Sequence, residues 1–177
     1  MSNSSLKTGA TERLKSAVDR YLPESLARNV KLFGMGLFQI PLIAFIRPKI
    51  IEVDGKLAIK VPLCWRTKNH LGSMYFGVLA AGADLACGLL ALETIEKSGK
   101  NVSLIFKDFK AEFLKRAEAD TVFLCEDEEA ARDLVKKAIE TGDRVERRMP
   151  VVATVPSRFG SEPVARFELT LSLKLRK

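Results

Sequence analysis

Between Lys68 and Glu93 this 177-residue chain carries a single charged side chain, Asp84, in the middle of the run FGVLAAGADLACGLLAL. A lone carboxylate in an apolar helix is costly unless it is paired or put to use. Two readings follow: a structural ion pair or helix–helix hydrogen bond, or an acid–base or nucleophilic group. Upstream lies the loop Asn69-His70-Leu71-Gly72-Ser73, which ends at the expected helix start. A helix N-terminus offers unpaired backbone N–H groups that can hold a developing oxyanion. His70 is the only histidine, so a metal site rich in histidine is excluded, and any Ser-His or Cys-His nucleophile would depend on it. It reads as a loop residue. The cysteines Cys64, Cys87 and Cys125 are scattered, apolar in context and without a CxxC pair. They read as free thiols of a reduced, cytoplasmic protein. No metal and no cofactor is expected.

The elements that must position these residues follow from pattern. Residues 10–20 have helical character, and Pro23-Glu24-Ser25 opens a second helix. From Leu32 to Ile46 there is no charge over 15 residues, and Pro41 interrupts the run. That is short of a membrane span. It reads as a buried helix or dimer contact, with a weak membrane-surface contact flanked by Lys31, Arg47 and Lys49 as the alternative. Ile50–Val53, Asp54-Gly55 and Leu57–Leu63 form a hairpin, with Pro62 suggesting an edge. Residues 76–92 are apolar nearly all round and too long for a strand, so they form a buried central helix closed by Gly99. Strands are expected over 102–116 and 120–126. An amphipathic helix follows over 127–140, then a strand pair over 143–155 and 163–176. An antiparallel sheet curled around the central helix would cover it. The fold class is α+β, with residues 1–44 as a helical extension and 45–177 as the main domain.

Charge is uneven. The formal net charge is +7, and residues 1–75 hold twelve basic against five acidic side chains, while the remainder balances. A basic first half suits phosphate-bearing ligands or an anionic surface, or is an idle surface. Nucleic acid is not an expected partner, because the basic residues lack an aromatic platform or recognition motif. The polar start, MSNSSLKTGATERLK, does not read as a secretory signal.

NHLGSMYFGVLAAGADLA, followed by VSLIFKDFKAEFLKRAEAD, resembles the hotdog-fold acyl-CoA thioesterases. The similarity is to the phenylacetate-pathway branch and, within it, to the group known as domain of unknown function 4442. The family carries an Asn in the loop, then His-Gly-Gly at the helix start, then an acid nine residues after that His. Asn69 takes the Asn position, Tyr75-Phe76-Gly77 takes the His-Gly-Gly position, and Asp84 falls nine residues after Tyr75. Ser103 falls where some members carry a helper Ser. The resemblance implies a hotdog fold, a homodimer or homotetramer, and a thioester substrate such as acyl-CoA. It further implies Asp84, Asn69 and Ser103 as catalytic residues, with Tyr75, Phe76, Gly77 and Gly72 binding substrate. The sequence departs from the pattern at Tyr75 and Phe76. A non-catalytic protein binding an acyl chain or lipid is the alternative. A dehydratase would want a catalytic His beside the carboxylate.

Overall fold

The computed structural model describes residues 23–176; the helix expected over 10–20 lies outside them. Helix α1 (Glu24–Phe38) starts after Pro23 with Glu24 in its first turn, where a carboxylate suits the helix dipole. Helix α2 (Pro41–Ile46) begins at Pro41, which fixes a helical φ and has no N–H to leave unsatisfied. The two helices fold back closely at Gly36, where a Cβ would lie 2.5 Å from the Ala44 nitrogen. The uncharged run 32–46 is therefore not one buried helix. Leu32, Gly36, Ile43 and Ile46 are buried, whereas Phe33, Leu37, Phe38, Leu42 and Phe45 are exposed. The boundary expected between residues 44 and 45 falls inside α2, whose Ile43 and Ile46 enter the main core.

Strands β1 (Lys49–Val53) and β2 (Lys56–Val61) turn at Asp54 and Gly55, with φ of 50° and 74°. That pair of left-handed residues is the turn which an Asp-Gly step favours. Pro62 sits just beyond β2, which is not an edge. The sheet is completed by β3 (Val102–Phe113), β4 (Thr121–Cys125), β5 (Val145–Thr154) and β6 (Pro163–Leu175), all antiparallel in the order β1-β2-β4-β5-β6-β3. The edges are β1 and β3. Asn29 of α1 guards the first: its amide accepts from Ile50 N–H at 2.8 Å and donates to Ile50 C=O at 3.1 Å, much as a neighbouring strand would. Edge β3 has no such guard among the described residues. It exposes Ile105, Phe109 and Phe113, each between 44% and 52%, and carries a bulge between Phe106 and Phe109.

Helix α3 (Phe76–Ser98) runs across the inner face and ends at Gly99 with φ 63°, as its sequence predicts. By length and composition it could cross a membrane, but it is mostly buried as a core helix. It approaches the sheet closely at Gly82, where a Cβ would fall 2.4 Å from the ring of Phe123, itself fully buried. Helix α4 (Glu128–Thr141) is capped by Asp127, whose carboxylate accepts from Ala130 N–H at 3.0 Å, and a four-residue helix α5 (Pro156–Phe159) joins β5 to β6. Long helix, curled six-stranded antiparallel sheet and strand order together make a hotdog fold.

Candidate functional site

The loop between β2 and α3 is built on Thr67, a fully buried residue. Its hydroxyl donates to Pro62 C=O at 2.7 Å and accepts from Cys64 N–H at 2.8 Å. Tyr75 N–H then donates to Thr67 C=O at 2.8 Å, and Met74 N–H to Ala117 C=O at 2.8 Å. These bonds fix where α3 begins. Sequence reading passed over Thr67; a threonine placed two residues after Trp65 in a turn, able to bond locally, is the available signal.

Asn69 is the organiser of the adjoining turn. Its side-chain oxygen accepts from Leu71 N–H at 2.9 Å and Ser73 N–H at 3.2 Å, and its amide donates to Ser73 Oγ at 3.1 Å. Gly72, with φ 79°, supplies the left-handed residue that closes this turn. Both lie in the loop, and neither hydrogen-bonds Asp84 among the described residues.

At the start of α3, Val78 and Leu79 N–H groups donate to Tyr75 C=O at 2.9 and 3.1 Å. Phe76 and Gly77 N–H groups have no acceptor among the described residues, and no side chain caps the helix. They form an open pair of donors at the positive end of a 23-residue helix. Tyr75 and Phe76 are exposed, their rings 4.8 Å apart. The Tyr75 ring lies over Gly77, where a Cβ would meet it at 2.7 Å.

Asp84 lies on the flank of α3 that also carries Gly77, Ala80 and Ala81, all only partly covered. A Cβ placed on Gly88 would be 3.6 Å from Asp84 Oδ1 and 3.5 Å from Phe106 Cζ. The carboxylate thus shares the space beside Gly88 with a ring from the open edge strand β3. No hydrogen bond or ion pair engages it among the described residues, so the structural ion pair weighed from the sequence is not made among them. Burial pushes the Asp84 carboxyl above the usual aspartate range. A thiol–thiol hydrogen bond with Cys125, then burial, and last the Asp84 charge push the Cys87 thiol up. All three cysteines are free thiols.

Ser103 alternates with Val102 and Leu104, which face the core, and its hydroxyl donates to Lys174 C=O at 3.1 Å. It therefore sits on the outer face of the sheet, opposite to Asp84. His70 is exposed in the loop. No cluster of three or more His, Cys, Asp or Glu residues suited to a metal occurs among the described residues.

A protein-family model described as "Domain of unknown function (DUF4442)" matches residues 31–173. No curated protein matches the chain. Among solved structures, a Pseudomonas aeruginosa protein described as of unknown function, probable thioesterase, is 25% identical with a TM-score of 0.67, covering 88% of this chain and 97% of that one. A protein of unknown function from Chlorobaculum tepidum superimposes with a TM-score of 0.70 at 14% identity, covering 86% and 97%. A thioesterase from Haemophilus influenzae gives 0.53 at 13%, covering 76% and 82%. The last two likenesses concern the fold alone.

Proposed function

Given that the chain belongs to the DUF4442 family and folds as a hotdog domain, we propose that it hydrolyses an acyl-CoA or related acyl thioester at a site assembled from two copies. The observation that carries this reading is Asp84: an unpartnered carboxylate on the open flank of the core helix, beside an unpaired strand edge. Its raised pKa favours a general base over an inert anion at neutral pH. Asp84 takes a proton from the attacking water and passes it to the departing thiolate; alternatively it attacks the carbonyl itself, expelling the thiolate and leaving a mixed anhydride that water then cleaves, releasing the acid, freeing Asp84 and supplying the thiol's proton. In either route the tetrahedral oxyanion is held by the Phe76 and Gly77 N–H groups.

Both parts cannot come from one chain. Gly77 and Asp84 are seven residues apart on one helix, which is roughly 10 Å at 1.5 Å per residue. A carbonyl bonded to the first N–H groups would lie out of reach of the same chain's carboxylate. Pairing β3 of one copy with β3 of a second continues the sheet and covers Ile105, Phe109 and Phe113. It sets two α3 helices side by side, so that one supplies donors and the other Asp84. Asn69 and Gly72 serve by fixing the loop ahead of α3. Ser103 has no contact with the site of its own chain. Free thiols fit a reducing compartment, the cytoplasm.

The rings of Tyr75 and Phe76 over the helix start favour a second reading, an acyl-chain binder without turnover. A panel of acyl-CoA thioesters assayed for free-thiol release, with acyl-chain binding measured in parallel, tests both. Release is expected. Binding with no release on any thioester supports the second reading and defeats the first.

A further inference from the structure

We propose that the outer face of the α1–α2 hairpin docks on a bilayer surface that bears anionic phospholipids. Leu26, Val30, Phe33 and Leu37 recur at i, i+4, i+7 and i+11, one line along α1, and each is 40–55% exposed. Leu42 and Phe45 continue the patch on α2. Trp65, the only tryptophan, stands beside it with its ring 6.0 Å edge-on from Phe45 and is 71% exposed. A contiguous apolar face of this extent on a folded protein marks an interaction surface. An exposed tryptophan next to it is the side chain that favours a membrane–water boundary.

Charge decides the kind of partner. A groove of about 370 Å³ between the helices is lined by Phe33, Leu37 and Phe45 and is bordered by Arg47 and Arg66. The Arg66 guanidinium lies 5.3 Å from the Trp65 ring centroid, and its Nε has no hydrogen-bond acceptor among the described residues. Lys49 adds a further cation beside Arg47, whereas Arg28 on α1 is already paired with Glu24 and Glu93 at 3.0 and 3.2 Å. Apolar helices rimmed by cations match a surface that offers acyl chains beneath phosphate groups. The 15-residue α1 and six-residue α2 are too short to span, so the hairpin lies on the surface. A second copy fits less well, because it would bring a cationic rim to a chain of net charge +7 without acidic residues over 25–51 to answer it. The strand edge already used for pairing two copies is a different face.

Trp65 serves as the probe. The full chain is mixed with vesicles of phosphatidylcholine alone, or with one quarter phosphatidylglycerol, and followed by co-flotation and tryptophan emission. Flotation with the anionic vesicles is expected, with a blue-shifted emission that brominated acyl chains quench and that added salt weakens. Replacing Phe33, Leu37 and Phe45 together by Ser should lower vesicle affinity at least tenfold, with circular dichroism unchanged. R47Q with R66Q should lower it about thirtyfold on anionic vesicles, the expectation for two cations near such a surface. Absence of flotation and of any emission change on the anionic vesicles overturns the proposal. So does an emission already blue-shifted without vesicles. Concentration dependence of that shift would identify a second copy as the occupant, and independence would identify the chain's own remaining residues. Thioester turnover is not a readout here, so this result stands apart from the hydrolysis assay.

Discussion

Phe76→Pro and Asp84→Asn divide the proposed site between two chains. Phe76 is the first residue of α3, the position where proline is best tolerated and where its missing N–H breaks no helical bond. Tyr75, at φ −66° and ψ 138°, already has the extended conformation that proline requires of its predecessor. Phe76→Pro therefore removes one oxyanion donor with the helix intact, which should lower kcat about a hundredfold or more. Asp84→Asn should do the same by removing the base or nucleophile. Each variant alone is nearly inactive, whichever chain supplies which part. Mixing them tests the roughly 10 Å separation along α3. After equimolar unfolding and refolding, about half of the dimers are mixed by random pairing of an isologous interface. Each mixed dimer has one site with both parts and one with neither, so about a quarter of parental activity should return. The assay is thiol release before and after co-refolding, with mixed dimers quantified by an affinity tag on one variant. If mixed dimers form and activity stays at the level of the separate variants, the site lies within one chain. Parental turnover by either variant alone would remove its residue from the mechanism.

Three further outcomes follow from the packing. Asp84→Asn should stabilise the fold at neutral pH, because burial raises the Asp84 pKa and the folded state then holds the charged form at a cost. The sign is that stability lent by a raised carboxyl is fully present below the unfolded pKa and is lost as pH rises through the folded one. Thermal denaturation should therefore show the variant's advantage at pH 7 and its disappearance towards pH 3. Thr67→Val strands Pro62 C=O and Cys64 N–H in a buried loop, which should cost about 1–3 kcal/mol by urea unfolding; an unchanged midpoint would show that the loop does not depend on this hydroxyl. Cys64 is partly exposed, and although burial raises its pKa, hydrogen bonds from Arg66 N–H and the Thr67 hydroxyl bring it down overall. It should react with a thiol reagent in the native protein, whereas Cys87 and Cys125 should react only after unfolding; three equally slow thiols would contradict this.

Elements whose signals are local are legible in the sequence. Asp54-Gly55 specifies its own turn, since few residue pairs accept left-handed φ in succession. The apolar run from Phe76, interrupted only by Asp84, could only be a helix covered on most sides, and Gly99 ends it for a backbone reason. Alternation in β6 turns Phe167, Leu169, Leu171 and Leu173 to the core, although Thr170 and Ser172 on the other face are buried as well, held by polar partners. Asp84 stood out because a charge in such a helix has to be explained. Whatever depends on distant partners emerges only in the fold. Leu32–Ile46 looks uniform in composition, but which of its side chains are covered depends on Gly36 meeting Ala44 and on Asn29 holding the edge of β1. Asn69 has one residue type and two readings, and only the folded turn shows its amide engaged by Leu71 and Ser73. Ser103 matches by spacing alone, yet strand alternation turns it to the outer face, and a one-residue difference in register is what separates the two faces of a sheet. Seven residues of helix hold Asp84 away from the donors at Phe76 and Gly77, and that fixed separation makes a second copy part of the proposed site.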